Sequence, residues 1–301
     1  MNKETVNMDI IEGQLFPRLG ITGCYLCGEQ RESRLISVNY GMNAMVAECP
    51  GCRIAFQSPL PSREASLAYM NWRWRSSDSY VRNRRNQMRR AITQVGLIKK
   101  YMHGPLRLLD FGAGAGSFVR AALNQGWEAT GIEQSSSARK RAKEFYDVEL
   151  LEKPGEEKYD VITMWDVVEH LRDPREVLVM VGQHLKKDGL IFIETANFES
   201  WRRTADKDKW RMYLFDHQFY FTPGSLKQVM LEAGYNGFCL LNWNHKRPRI
   251  FSRRTLSYPL RIIPSFVEWR RAMVKWPDHG DIEVMVVVGR KESGPIAILS
   301  N

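Results

Sequence analysis

Three clusters in this sequence combine residue types and spacings that could do chemistry. Cys24-x-x-Cys27 and Cys49-x-x-Cys52 are separated by 21 residues. Zinc takes four tetrahedral thiolates, and two such pairs at opposite ends of a ribbon supply them; with no open position the metal is structural. Gly28 and Pro50-Gly51 suit the tight turns this needs, while Cys239, in an apolar run, reads as a small buried hydrophobe. The second cluster is Asp110, Gly112, Gly114, Gly116 and Ser117, following the apolar run from Leu106. Glycine has no Cβ to hold a ligand away from the backbone, so a loop of this kind suits close approach. The third cluster holds histidines: His170, four residues after Asp166, and His217, which follows Asp216 in an aromatic run with Phe215, Phe219, Tyr220 and Phe221. Histidine moves protons near neutral pH, which makes His170, His217 and Asp216 candidate catalytic residues. The blander readings are a helix start at Glu169-His170 and an aromatic lid bearing a surface histidine.

Elements must hold these groups. From Leu106 onward apolar runs alternate with helical stretches, the pattern of a parallel sheet with crossover helices. Strands are expected at 106–111, 128–132, about 147–150, 159–164, 189–195, 237–242 and 282–289, with helices at 115–125, 135–145, 174–186 and 224–233. The glycine loop then falls at the carboxyl edge of the first strand, where open α/β sheets bind ligands. Upstream, Arg34–Val38 and Asn43–Glu48 flank Asn39-Tyr40-Gly41 as a hairpin, closed by Pro59 and Pro61. A helix begins near Ser62, and a second is expected from Val81 to Met102, with Met88, Ala91, Ile92, Val95 and Ile98 inward and a basic outer face. The expected organisation is a zinc-ribbon module at 1–60, a helical linker or cap at 61–103, and an α/β domain at 104–301 with a basic aromatic insertion at about 243–281.

The glycine spacing is Gly-x-Gly-x-Gly, so Ser117 stands where a dinucleotide fingerprint has its third glycine. With Glu133 closing the next strand, and Tyr159-Asp160-Val161-Ile162-Thr163 followed by Trp165-Asp166-Val167-Val168-Glu169-His170-Leu171, the chain resembles class I S-adenosylmethionine-dependent methyltransferases over roughly 104–240 and the last strand. The resemblance implies a Rossmann-like α/β fold with a seven-stranded sheet. It implies S-adenosylmethionine held by Asp110, Gly112, Gly114, Gly116, Glu133, Trp165 and Asp166, with Glu133 accepting from the ribose hydroxyls. An acid often meets adenine after the third strand in this family, and the short Glu149–Pro154 segment offers no clear counterpart. A ribbon before such a domain is similar to that of nucleotide-sugar C-methyltransferases, and a related finger occurs in an rRNA guanine methyltransferase family. Asp216-His217 match an acid–His pair of the sugar-methylating branch, and Asn197 is a weaker acceptor contact.

Composition bounds the partners. The net charge of +10 is concentrated in residues 71–100 and 245–275, each with nine Lys/Arg and one acid; the rest is net acidic. Basic segments speak of acidic partners rather than of fold. In 245–275, arginines interleave with Phe251, Tyr258, Phe266 and Trp269, which could clamp a phosphorylated substrate, touch anionic lipid or form an oligomer interface. The expected acceptor is a small, acidic, phosphorylated or sugar-like molecule such as a sugar nucleotide or glycan precursor. An RNA methyltransferase is the alternative, disfavoured because Trp165-Asp166-Val167-Val168 stands where a nucleobase motif would follow the fourth strand. A non-catalytic cofactor-binding scaffold is the third reading. Without a spanning-length apolar stretch or a signal-like start in 1–20, a cytoplasmic protein with reduced thiols is expected.

Overall fold

A computed structural model of the chain describes residues 24, 26–30, 34–39, 43–58, 60–76, 78–242, 283–294 and 296. In chain order it contains β1 (Arg34–Asn39), β2 (Asn43–Glu48), β3 (Ala55–Ser58), α1 (Arg63–Ser76), α2 (Asp78–Ile98), β4 (Arg107–Phe111), α3 (Ser117–Leu123), β5 (Glu128–Ile132), α4 (Ser136–Tyr146), β6 (Tyr159–Trp165), α5 (Pro174–Gln183), β7 (Leu185–Ala196), α6 (Trp201–Asp206), β8 (Phe219–Tyr220), α7 (Pro223–Glu232), β9 (Gly237–Asn242) and β10 (Val284–Arg290). The basic aromatic insertion, with its candidate lipid-contacting stretch 245–275, lies outside the described residues, as does the segment 1–20.

The larger sheet runs β5-β4-β6-β7-β10-β9. β4 is parallel to β5 and β6, and β6 to β7, while β10 is antiparallel to both β7 and β9. The central strands are covered on both faces, which is why they read as nearly unbroken apolar runs. On one face, buried residues of α5 and α7 (Leu178, Val181, Leu226, Val229) pack against Leu109, Ile162 and Ile193. On the other, Ala91, Val95 and Ile98 of α2 and Phe118 and Ala122 of α3 pack against Leu108, Val161 and Phe192. Helix starts follow their sequence signals: the Ser135, Asp173 and Thr222 side chains accept from backbone N–H groups at the starts of α4, α5 and α7, and Pro174 and Pro223 each sit in a first turn.

Two expectations are corrected. The strand expected at 147–150 is a single parallel bridge, Ile132 to Leu151, so among the described residues the sheet has six strands rather than seven. The Glu133 N–H donates to the Leu151 carbonyl and the Leu151 N–H to that of Gly131, and Pro154, with no N–H, follows three residues later. Ile92, expected to face inward on α2, is 58% exposed, while Gln94 is buried. The buried stripe of α2 is thus rotated from the one drawn through its apolar residues.

The smaller sheet runs β1-β2-β3-β8. β1 to β3 come from the cysteine-bearing segment, but β8 comes from the α/β segment and pairs antiparallel with β3 through Ala55–Tyr220 and Phe56–Phe219. The two parts also share apolar packing: Cys24, Cys49, Ile54 and Phe56 belong to the same buried cluster as Val167, Val168 and Phe219. A shared core predicts cooperative unfolding. Calorimetry should show one transition, and Phe56→Ala should lower stability by about 3–5 kcal/mol while keeping it single. Two separated transitions would show that the ribbon folds on its own.

Candidate active site and metal site

The carboxyl ends of β4, β5, β6 and β7 bring the sequence candidates to one edge. Past β4, Gly112, Gly114 and Gly116 take φ of 79°, 54° and 79°, the left-handed region that disfavours other residues. Space is short as well. A Cβ on Gly112 would lie 2.5 Å from Val167, and one on Gly114 would lie 3.1 Å from two ring carbons of Trp74. The close approach read from sequence as room for a ligand is thus shared with side chains of the protein itself. Glu133, 5% exposed, is gripped by the loop it faces: Gly114 N–H donates to Oε2 at 2.9 Å and Ser135 N–H to Oε1 at 2.8 Å. A carboxylate retains further acceptor positions after two such bonds. Burial nevertheless raises the Glu133 pKa, against the pull of those two N–H groups. Ser135 Oγ donates to Asn71 Oδ1 of α1 at 2.7 Å, so α1 is pinned over this loop at both Trp74 and Asn71. Asp110 lies 2% exposed, accepting from the Thr163 hydroxyl at 2.7 Å, and burial raises its pKa to about 7.

The turn after β6 carries the next candidates. Trp165 packs its ring against Phe118 and Phe192, and its indole Nε1 is buried without a hydrogen-bond partner among the described residues. Asp166 adopts φ 55° and donates its N–H to the Glu194 carbonyl. Its Oδ2 accepts from Arg90 Nη2 at 2.6 Å, and the same nitrogen is bonded to Glu194 Oε1, on a side chain that is fully buried. Burial would raise the Asp166 pKa, but Arg90 holds it below the ordinary value. Burial likewise opposes the charge on Arg90, and Asp166 and Glu194 together hold it cationic. Arg90 and Gln94, which lies 3.5 Å from Glu194 Oε2, were not singled out by sequence. Arg90 sits in a basic run that otherwise faces outward, with Arg84, Arg85 and Arg89 exposed. The available signal was two polar residues, Arg90 and Gln94, one helical turn apart beside the apolar positions.

His170 and His217 meet although they are 47 positions apart in sequence; their rings lie 4.7 Å apart at 81°. His170 Nδ1 is 2.6 Å from the Asp216 carbonyl oxygen, with Asp216 Oδ2 at 3.8 Å. A carbonyl only accepts, so Nδ1 carries the proton and Nε2 presents the lone pair of the neutral ring. The Glu169 carboxylate, 2% exposed, joins them; its ligand atom and one from each histidine all lie within 4.8 Å of one another. Burial raises the Glu169 pKa to about 7. Sequence reading noticed Glu169 only as a possible helix start. Phe215, just before Asp216, packs against Tyr69 of α1 with ring centroids 4.7 Å apart, so α1 borders the histidines as well as the glycine loop. Asn197 is fully buried and accepts from the Glu199 N–H, a role within its own turn.

The four cysteines cluster with all sulfurs within 4.8 Å of one another. Cys24–Cys52 and Cys27–Cys49 Sγ separations are both 3.7 Å. Backbone N–H groups of Leu26 and Gly51 donate to the Cys24 and Cys49 sulfurs, as thiolates require. Hydrogen bonding with the Cys52 thiol lowers Cys24 to about 5, and the same sharing pushes Cys52 up.

A six-stranded sheet with an antiparallel β10, a glycine loop at its edge and an acid closing the neighbouring strand define a class I S-adenosylmethionine-dependent methyltransferase. A family model described as a methyltransferase domain matches residues 80–240, more than half of the chain, and the protein belongs to that family. A ubiquinone biosynthesis O-methyltransferase from Pasteurella multocida is 33% identical over 112 residues, 30% of this chain and 46% of that protein. The same-named protein of Saccharophagus degradans is 30% identical over 157 residues, 42% of this chain and 62% of its own length. The chain thus spans about half the length of the curated relatives it matches. Among solved structures, a putative methyltransferase in complex with the Haloferax volcanii Trm112 methyltransferase activator gives a TM-score of 0.55 at 13% identity, covering 74% of this chain and 97% of that one. A Thermotoga maritima S-adenosylmethionine-dependent methyltransferase gives 0.51 at 20% identity, covering 75% of this chain and all of that one. At such identities these two show the fold alone. Family membership weighs against the scaffold reading. No helix among the described residues is long and apolar enough to cross a membrane.

The raised carboxyl pKa values have a consequence for stability. With Asp110 near 7, the folded chain keeps a proton that the unfolded chain loses in the ordinary carboxylate range. Stability from this group therefore falls as pH rises from about 4 to about 7. Asp110→Asn, which keeps an acceptor for Thr163, should flatten that fall in urea titrations across the window. An unchanged slope would show that Asp110 is ionised in the fold.

Proposed function

We propose that the protein methylates a hydroxyl of a small acceptor, with His170 and His217 on the acceptor side and the glycine loop with Glu133 on the cofactor side. The observation that carries this reading is the Asp216 carbonyl on His170 Nδ1, which commits Nε2 to accepting a proton. S-adenosylmethionine supplies the methyl group; the backbone at Gly112, Gly114 and Gly116 and the Glu133 carboxylate would hold it, together with Asp110, Trp165 and Asp166 at the carboxyl ends of β4 and β6. As the acceptor oxygen takes the methyl group it gives its proton to Nε2, and His217, Asp216 and Glu169 shape the electrostatics of that transfer. Tyr69 of α1 packs on Phe215, two residues before His217, and an aromatic pair of this kind suits the flat face of a sugar or an aromatic ring. We place the acceptor among sugar nucleotides and glycan precursors, because the ribbon and the Asp216-His217 pair resemble that branch. A phenolic hydroxyl is the second reading, favoured by relatives named as ubiquinone biosynthesis O-methyltransferases.

The assignment of sides is testable by separating binding from turnover. Glu133→Ala should weaken S-adenosylmethionine binding in calorimetry by about 1.5–3 kcal/mol, the range for a hydrogen bond to a charged group. His170→Ala should leave that binding nearly unchanged while lowering turnover about 10²–10⁴-fold and removing the acidic limb of the pH–rate profile. Full activity of the His170, His217 and double variants on an identified hydroxyl acceptor would sink the base assignment. Preference between matched sugar-nucleotide and phenol acceptors then separates the two readings.

The cysteine cluster supports a structural zinc. Tetrahedral thiolates at about 2.3 Å from zinc sit about 3.8 Å apart, close to the 3.7 Å of the two closest Sγ pairs. Elemental analysis should find one zinc per chain, lost together with thermal stability in Cys49→Ser. A metal-free wild type of undiminished stability would refute it.

A further inference from the structure

The turn bearing Glu169 and His170 is a three-residue 3₁₀ segment, Val168–His170, and such a turn has little stability of its own. Its internal bonds are His170 N–H to the Val167 carbonyl at 2.9 Å and Leu171 N–H to that of Val168 at 3.4 Å. Yet it must hold two side chains of the site to a fraction of an ångström. Beside the packing of Val168 and the His170 Nδ1 bond to the Asp216 carbonyl, it is held by Gln218, immediately after His217. Its backbone N–H donates to the Glu169 carbonyl at 2.8 Å. Its side-chain Nε2 donates to the His170 carbonyl at 2.9 Å. Its own carbonyl accepts from the Gln57 N–H of β3 at 2.9 Å.

Gln218 is thus a junction of three segments: the cysteine-bearing sheet through β3, the turn carrying Glu169 and His170, and the loop carrying Asp216 and His217. It is 3% exposed, and burying an amide there brings no gain in apolar area that methionine could not give. The amide is instead spent on the turn. Just beyond it, β8 is two residues long and pairs with β3, so this loop is fixed by the ribbon sheet rather than by the large one. We propose that Gln218 is a positioning residue for the acceptor side of the site, through which the ribbon sheet sets the geometry of the His170–His217 pair.

The inference rests on reading those histidines as the acceptor side, and its test separates the two. In ¹⁵N-histidine-labelled full-length protein, with the His170 signals assigned from His170→Ala, Gln218→Met removes the donor at similar volume. Gln218→Asn keeps an amide but draws it back by one methylene. Each should change the His170 imidazole ¹⁵N shifts and lower kcat about 10²-fold, the scale of an ångström's misplacement. S-adenosylmethionine affinity should stay within twofold in calorimetry, since none of these bonds touches Glu133 or the glycine loop; that affinity also certifies the fold of either variant. Unchanged His170 signals in the variants would overturn the inference, whether or not kcat falls. If His170→Ala proves fully active, the base reading fails alone, and Gln218 is still judged on the ¹⁵N shifts.

Discussion

The site depends on one constrained turn, residues 165–171 after β6. Asp166 takes a left-handed φ of 55°, which an aspartate tolerates better than most residues, and its N–H is spent on the Glu194 carbonyl. Reversing direction so sharply sends neighbouring residues to different tasks. Val167 presses on the glycine loop closely enough that Gly112 could not be alanine without movement. Asp166 meets Arg90, Glu169 meets the histidines, and His170 reaches Asp216. The one turn therefore borders the glycine loop at Val167 and the histidine pair at His170.

Electrostatics makes that turn costly to misplace. Glu194 is fully buried, so its side chain needs a partner, and α2 brings one in Arg90. Arg90 satisfies Glu194 and Asp166 at once, so α2 is registered to the carboxyl edge by charge as well as by Ala91, Val95 and Ile98. Arg90 and Asp166 are both more than a third exposed, and solvent screens that half of the bridge. The Glu194 half carries the constraint.

How legible all this is in the sequence depends on the range of the interaction. The Cys-x-x-Cys pairs, the alternate glycines and Glu133 are read at once because their chemistry sets short spacings. Strands such as Glu128–Ile132 and Gly237–Asn242 were expected over those same residues, because each is a short run set between helical stretches. The third strand misled because its composition is strand-like while the chain supplies only one bridge before Pro154. On α2 the apolar residues alone put Ile92 inside; Gln94 is buried instead, beside Glu194 a hundred residues away, and the pair of polar residues one turn apart names no such partner. β8 is out of reach for a like reason: two residues have no period, and their partners in β3 lie more than 160 positions upstream.

That pairing changes what the ribbon is. Two modules joined end to end would leave the cysteine segment free to evolve or unfold apart from the enzyme. Here the segment lends its sheet edge to Phe219–Tyr220 and its apolar side to Val167 and Val168, so the order it gains from its cysteines passes to the turn and loop where the histidines sit. The glycine loop and Glu133 are braced separately, by α1 through Asn71 and Trp74 and by Arg139, which donates to the Glu133 carbonyl. The two halves of the site are therefore supported by different parts of the chain. The turn after β6, and α1 reaching from Trp74 to Tyr69, tie one half to the other. The surroundings of the histidines can therefore vary with the ribbon sheet while the glycine loop keeps braces of its own.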